Sequence, residues 1–168
     1  MKLNLLKYRT NLLLRNNKAD RTNLSYRKAQ QVGIIFTVED KIKHETVKEF
    51  IKKLEQDGKQ VQVIEFLPAK KDNYEFRFDF FTEKDLSFWG NITSTDAIKF
   101  ANTPFDFLFY VDITPNPMIL YLLALSKAKC RVGRSWDDGH SYFELMIETV
   151  ANIKVMMETM YKYAALLK

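Results

Sequence analysis

The sequence predicts a single α/β domain of three layers with a mostly parallel sheet, and three observations carry that prediction. Short runs rich in β-branched and aromatic residues, Val32-Gly33-Ile34-Ile35-Phe36 first among them, are apolar at every position, as strands buried on both faces are. Stretches with helical spacing separate these runs, so the chain alternates strand and helix signals from residue 32 onward. Its 168 residues suit one domain with a core that folding can bury.

Each element follows from local chemistry. Leu3, Leu5, Leu6, Tyr8, Leu12, Leu13 and Leu14 make the leading segment apolar enough for a helix that docks, although they scatter round the helical wheel instead of forming one stripe. Such a helix suits contact with its own domain on one side and a partner on the other. Residues 15–23 are polar and read as its end and a linker. A strand over residues 32–36 precedes a helix over about 40–57, with Ile42, Val47, Phe50, Ile51 and Leu54 near helical spacing and Gly58 placed to cap it. Residues 60–67 form the next strand, closed by Pro68, which completes a strand–helix–strand crossover unit.

The middle is less regular. Tyr74, Phe76, Phe78 and Phe80 alternate with polar residues, which predicts an exposed or edge strand. Thr82-Glu83-Lys84-Asp85 resembles a capping box for a short helix, residues 90–94 are loop, and Thr95 caps a helix running to about Asn102, before Pro104. Residues 105–112 are a central strand. Asn116 is a natural N-cap and Pro117 a first helical residue, so a nearly all-apolar helix covers residues 118–128. Residues 129–132 are a strand, 135–139 a polar loop and 141–147 a last strand. A closing helix starts at Thr149 or Asn152, runs to Leu167 and turns Ile153, Met156, Met157, Met160 and Tyr161 inward. The expected architecture is a Rossmann-like domain over residues 32–168, preceded by a basic helix or arm over residues 1–31.

Charge is unevenly placed. The chain nets +5, yet residues 1–31 hold eight basic side chains (Lys2, Lys7, Arg9, Arg15, Lys18, Arg21, Arg27 and Lys28) against one acid, Asp20. That segment is therefore +7 and the rest of the chain −2. A basic segment on a near-neutral body points to an arm for a polyanion, RNA before membrane, because each phosphate neutralised releases condensed counterions. Basic tails also aid solubility, and their stems can lie along apolar surface.

The runs Val32-Gly33-Ile34-Ile35-Phe36, Pro104-Phe105-Asp106-Phe107-Leu108 and Ala124-Leu125-Ser126-Lys127-Ala128-Lys129-Cys130-Arg131-Val132-Gly133 together resemble a bacterial domain-of-unknown-function family of small α/β proteins with a basic N-terminal helix. That resemblance covers most of the chain and implies the fold but no activity. Residues 105–133 also resemble part of the N-terminal half of heptosyltransferase-type glycosyltransferases. Those enzymes need two such halves and this chain has length for one, so the resemblance implies no transferase activity.

Reactive chemistry leaves few marks. The five glycines, Gly33, Gly58, Gly90, Gly133 and Gly139, spell neither G-x-G-x-x-G nor a P-loop, so no nucleotide cofactor is expected. Cys130 is the single cysteine, and no H-E-x-x-H or C-x-x-C spacing exists, so neither a disulfide nor a metal site is expected. Cys130 reads as a small buried hydrophobe and His44 as a solvated surface residue. In open α/β sheets ligands bind beyond the carboxyl ends of the strands, where strand order reverses. Asp112, Thr114 and Asn116 follow one central strand, and Arg134, Asp137 and His140 follow the next, so together they form a candidate crevice for a nucleotide or sugar phosphate. The same residues also have a purely structural reading, with Asn116 as a cap, a turn at Asp137-Asp138-Gly139, and Arg134 paired with an acid. Between residues 74 and 89 the balanced charge favours packing of the aromatics over stacking on bases or sugars.

The expectation is a binding protein without catalytic residues. Its partner would be structured RNA or a ribosomal particle, with protein contacts through the α/β body; a small-ligand protein or enzyme at the crevice is the alternative, and a peripheral anionic membrane a third. With no run of ~20 apolar residues and no secretory signal pattern, the cytoplasm is the expected location.

Overall fold

Strands buried on both faces require helices on both faces, and the order of elements supplies them. The computed structural model describes residues 1–22, 24–148 and 151–168. Along the chain run α1 (Lys2–Asn16), β1 (Gln31–Thr37), α2 (Lys41–Gln56), β2 (Gln60–Phe66), β3 (Asp79–Phe81), α3 (Thr95–Asn102), β4 (Phe107–Tyr110), α4 (Pro117–Leu125), β5 (Cys130–Arg134), β6 (Leu145–Ile147) and α5 (Ile153–Leu166). The six strands form one open sheet in the order β3-β2-β1-β4-β5-β6, and every pairing is parallel. This is the doubly wound α/β order, reversing between β1 and β4.

Alternation along each strand sorts side chains into two cores. In β1, Val32, Ile34 and Phe36 join Phe107 and Phe109 of β4 beneath α2 and α5. Ile35, Leu108 and Tyr110 face the opposite way, beneath α1, α3 and α4. The three layers expected from the sequence are therefore present.

The leading helix belongs to this second layer. Leu6 of α1 is fully buried, Leu13 and Leu14 pack beside it, and the buried Thr10 hydroxyl donates to the Leu6 carbonyl at 2.8 Å. The residues after α1 fasten it further. Asn17 Nδ2 donates to the carbonyls of Ala124 and Ser126 at 2.8 and 2.9 Å, satisfying acceptors that the end of α4 leaves open. Arg21 donates to the Ala128 carbonyl and lies 3.6 Å from Glu144, which in turn takes a bidentate grip from the buried Arg131.

Several boundaries differ from the sequence reading, each for a packing reason. Residues 74–80 are not one edge strand: Tyr74–Phe76 is a 3-10 turn with φ of 42°, 75° and 48°, and only Asp79–Phe81 pairs, along β2. The turn exists because Tyr74 and Phe78 fold over α2, their rings 5.3 and 5.4 Å from that of His44. His44 is consequently buried rather than solvated, and burial, with Lys48 nearby, holds its pKa below the ordinary value.

The capping box at Thr82 is present, closed by Asp85, but holds a single turn. Ser94 rather than Thr95 caps α3. β6 is shorter than expected because Tyr142 and Phe143 turn inward onto Trp136, at 5.6 and 5.5 Å. Asn152 caps α5, its side chain accepting from the Val155 amide at 2.9 Å. The alternative start at Thr149 lies outside the described residues, as does Asn23 at the end of the polar stretch. Among the described residues no helix is long and apolar enough to cross a membrane.

Candidate functional site

The carboxyl ends of β1 and β4 meet where strand order reverses, and side chains from both converge there. Asp112, just past β4, is buried. Its Oδ1 accepts from the Thr37 amide at 2.8 Å and from Lys43 Nζ at 2.6 Å, and its Oδ2 from the Thr37 hydroxyl at 2.7 Å. Lys43, only 3% exposed, comes from the first turn of α2 and also reaches Glu39 at 3.0 Å. Asn116 completes the network: Nδ2 donates to Thr37 Oγ1 at 2.8 Å, while Oδ1 caps α4 by accepting from the Met118 amide at 3.0 Å. The Asn116 amide donates to the Tyr110 hydroxyl, which burial and the nearby Asp112 charge hold well above its ordinary pKa.

This network occupies the position where a doubly wound fold otherwise receives a ligand. The lone pairs of Asp112 go to three protein donors, and the Lys43 charge is neutralised inside the chain. Arg134 Nη1 donates to the carbonyl of Ile113, the residue after Asp112, at 2.7 Å. Thr114, Asp137 and His140 are exposed, and among the described residues none of them hydrogen-bonds to the network. The structure therefore brings Asp112 and Asn116 together and leaves the other four outside. Thr37 and Lys43 escaped the sequence reading. Their signal is topological, since the first turn of a helix following a parallel strand faces the carboxyl edge of the sheet.

Open space lies one step sideways. A groove of about 600 Å³ runs between α1, the start of α4 and the loop after β5. Leu3, Leu6, Leu14 and Leu120 form its aliphatic walls, Trp136 and Tyr142 its aromatic side, and Lys7 and Asp138 its charged groups. Its size falls within the range of small-ligand sites.

The basic side chains divide into two groups. Lys2, Lys7, Arg9, Arg15, Lys18, Arg27 and Lys28 are exposed. Arg21 is half-buried against Ala128 and Glu144, and burial next to Arg131 lowers its pKa to about 10. On α1, Lys7, Asn11 and Arg15 recur every fourth residue and form one outward row, with Tyr8 beside it. Cys130 is buried, and desolvation pushes its thiol up to about 12, far from a reactive thiolate.

No curated protein and no solved structure matches the chain. The resemblance to heptosyltransferase-type glycosyltransferases thus has only its short segment behind it. The model of a family of unknown function, DUF6913, matches residues 2–167, from α1 through α5, and the chain belongs to that family.

Proposed function

We propose that the chain is a non-catalytic RNA-binding protein that holds structured RNA, such as that of a ribosomal particle, on the outward face of α1. One observation carries this reading. Docking on α4 commits Leu6, Leu13 and Leu14 of α1 to the core and leaves Lys7, Asn11 and Arg15 in an exposed row, with Lys2 and Arg9 exposed on the same helix. A rigid helix presents these charges at fixed spacing, which phosphate contacts require for register. Arg21 does not belong to that surface, because its guanidinium is engaged within the fold. The body contributes by holding the helix and by offering protein contacts.

Removing residues 1–31 is a poor test, since it would strip Leu6 from the core and Asn17 from the end of α4. The suitable variant replaces Lys2, Lys7, Arg9 and Arg15 with glutamine in the full chain. Sedimentation of tagged protein in lysate should show RNase-sensitive migration with large particles for the natural chain and loss of it for the variant. Migration of both as a free species would refute the proposal.

The groove supports a second reading, a small-ligand protein. In this form the ligand contacts Lys7 and Trp136 instead of Asp112, because the Asp112 carboxylate is bonded internally. A nucleotide or sugar phosphate that raises the melting temperature, with the shift lost on Lys7→Ala, would favour it. A flat response across a metabolite panel would remove it.

A further inference from the structure

We propose that the loop beside α1 carrying Phe88 and Trp89 is a stacking platform for unpaired bases, so that the bound RNA is single-stranded where it crosses the start of α1. This inference rests on the RNA reading above and names its substrate class. Most aromatic side chains of this protein go to the two cores, but two of those between residues 74 and 89 for which packing was expected do not: Trp89 is 66% exposed and Phe88 51%, their rings edge to face with centroids 5.3 Å apart. Scattered single exposed apolar residues are ordinary. A pair of large rings that meet edge to face in water beside a basic helix calls for a function.

The loop is rigid. The Thr82–Asp85 capping box leads into it, and Leu86 pairs with Ile92 across its base, both buried. Between them the Ser87 amide donates to the Asn91 carbonyl at 2.9 Å, and the Asn91 amide to the Ser87 hydroxyl at 3.0 Å. Gly90, at φ 78°, presses this loop against the helix. A Cβ there would stand 2.5 Å from the Leu5 carbonyl carbon and 2.6 Å from the Leu6 amide nitrogen, so only glycine allows the approach. Asn91, next in the chain, shares a cleft with Arg9, Leu12 and Tyr121. Tyr8, 59% exposed, precedes Arg9 on the helix. The loop that carries the two exposed rings therefore lies against the side of α1 that carries Arg9.

That pairing is the recognition chemistry of single-stranded nucleic acid, in which bases stack on aromatic rings and the backbone follows positive charge, with little dependence on sequence. A closed duplex has its base faces stacked internally and would leave the rings unused. An anionic membrane is the other surface that attracts aromatic and basic groups together. It suits this helix less, because Leu6, Leu13 and Leu14 are committed to the core and the exposed side includes Asn4, Asn11 and Asn16.

The test uses the full chain with a dye-labelled oligouridine strand and a blunt RNA duplex of equal length, by fluorescence anisotropy at low salt. The strand should bind more tightly than the duplex. Trp89→Ala should weaken strand binding roughly 5- to 100-fold, whereas Trp89→Phe should retain most of it. Equal strand binding by wild type and Trp89→Ala, with weakening on Lys7→Gln/Arg9→Gln, would overturn the platform and leave the RNA reading standing. Failure of the wild type to bind either RNA would overturn both. Binding to phosphatidylglycerol vesicles in place of RNA would overturn both and reassign the face to membrane.

Discussion

Replacing Asp112 with alanine should cost the fold about 3–5 kcal/mol, the range for breaking a buried ion pair by removing one partner. The Lys43 side chain is 3% exposed and would keep only Glu39, which is itself half in water. The Thr37 amide and hydroxyl would lose their acceptor as well. For a chain of this size a loss on that scale lowers Tm by roughly 6–20 °C. Urea unfolding followed by circular dichroism measures it, in a cycle with Lys43→Met. With the cation gone, the Asp112→Ala step should cost about 2 kcal/mol less than it does in the natural background. A carboxylate reserved for a ligand behaves in the opposite way, since its removal leaves stability unchanged or raised. An Asp112→Ala variant within about 1 kcal/mol of wild type, or strict additivity with Lys43→Met, would refute the internal-network reading and reopen the crevice as a binding site.

Three further outcomes follow from the packing. Glu65 is wholly buried, its carboxylate oxygens have no hydrogen-bond partner among the described residues, and burial raises its pKa to about 7. The folded state therefore holds a proton that the unfolded chain releases near pH 4.5, so this group's contribution is full below that value, falls as pH rises to about 7 and then levels off. The loss is about 3 kcal/mol, and Glu65→Gln should remove this pH dependence; parallel stability–pH curves for the two proteins would contradict it. Gly133→Ala would place a methyl 2.2 Å from Phe143 Cζ, in a ring already packed against Tyr110, Trp136 and Tyr142. It should cost about 3 kcal/mol in urea unfolding, and an unchanged midpoint would show that the ring moves freely. Leu6→Ala should cost about 2–5 kcal/mol if α1 is part of the cooperative fold, whereas a negligible change would make it a loosely attached arm.

How far the sequence revealed the fold depended on whether a signal was local. Asn116 and Pro117 announce the start of α4 because capping is decided within four residues. Gly58, at φ 79°, marks the end of α2 in the same way. The layered, parallel character of the sheet followed from continuous apolar runs of the kind that a doubly covered parallel sheet accommodates, whereas the strand order came from the structure. The aromatic alternation at residues 74–80 misled because period two is the pattern of a half-buried strand, while the packing of Tyr74 and Phe78 on His44 depends on a helix some thirty positions earlier.

The candidate site was legible in part. Asp112 and Asn116 were identified from their place after a central strand. Their partners Thr37 and Lys43 stand about 70–80 residues away in sequence, and no spacing rule connects them. The scattered leucines of α1 pointed to a helix with two occupied sides. Which side faced the core was settled only by the packing of Leu6, Leu13 and Leu14 with the side chains of α4 and by the close approach of Gly90 to Leu5 and Leu6.

The central claim is that the exposed face of docked α1 binds RNA phosphates, and salt dependence measures it most directly. Affinity for a labelled RNA strand should be determined across a salt series for the natural chain and for the variant with glutamine at Lys2, Lys7, Arg9 and Arg15. The plot of log affinity against log salt should lose about 0.7 of slope for each phosphate contact removed, hence about 3 for the four together, with the fold intact by circular dichroism. An unchanged affinity and slope in the variant would contradict the claim.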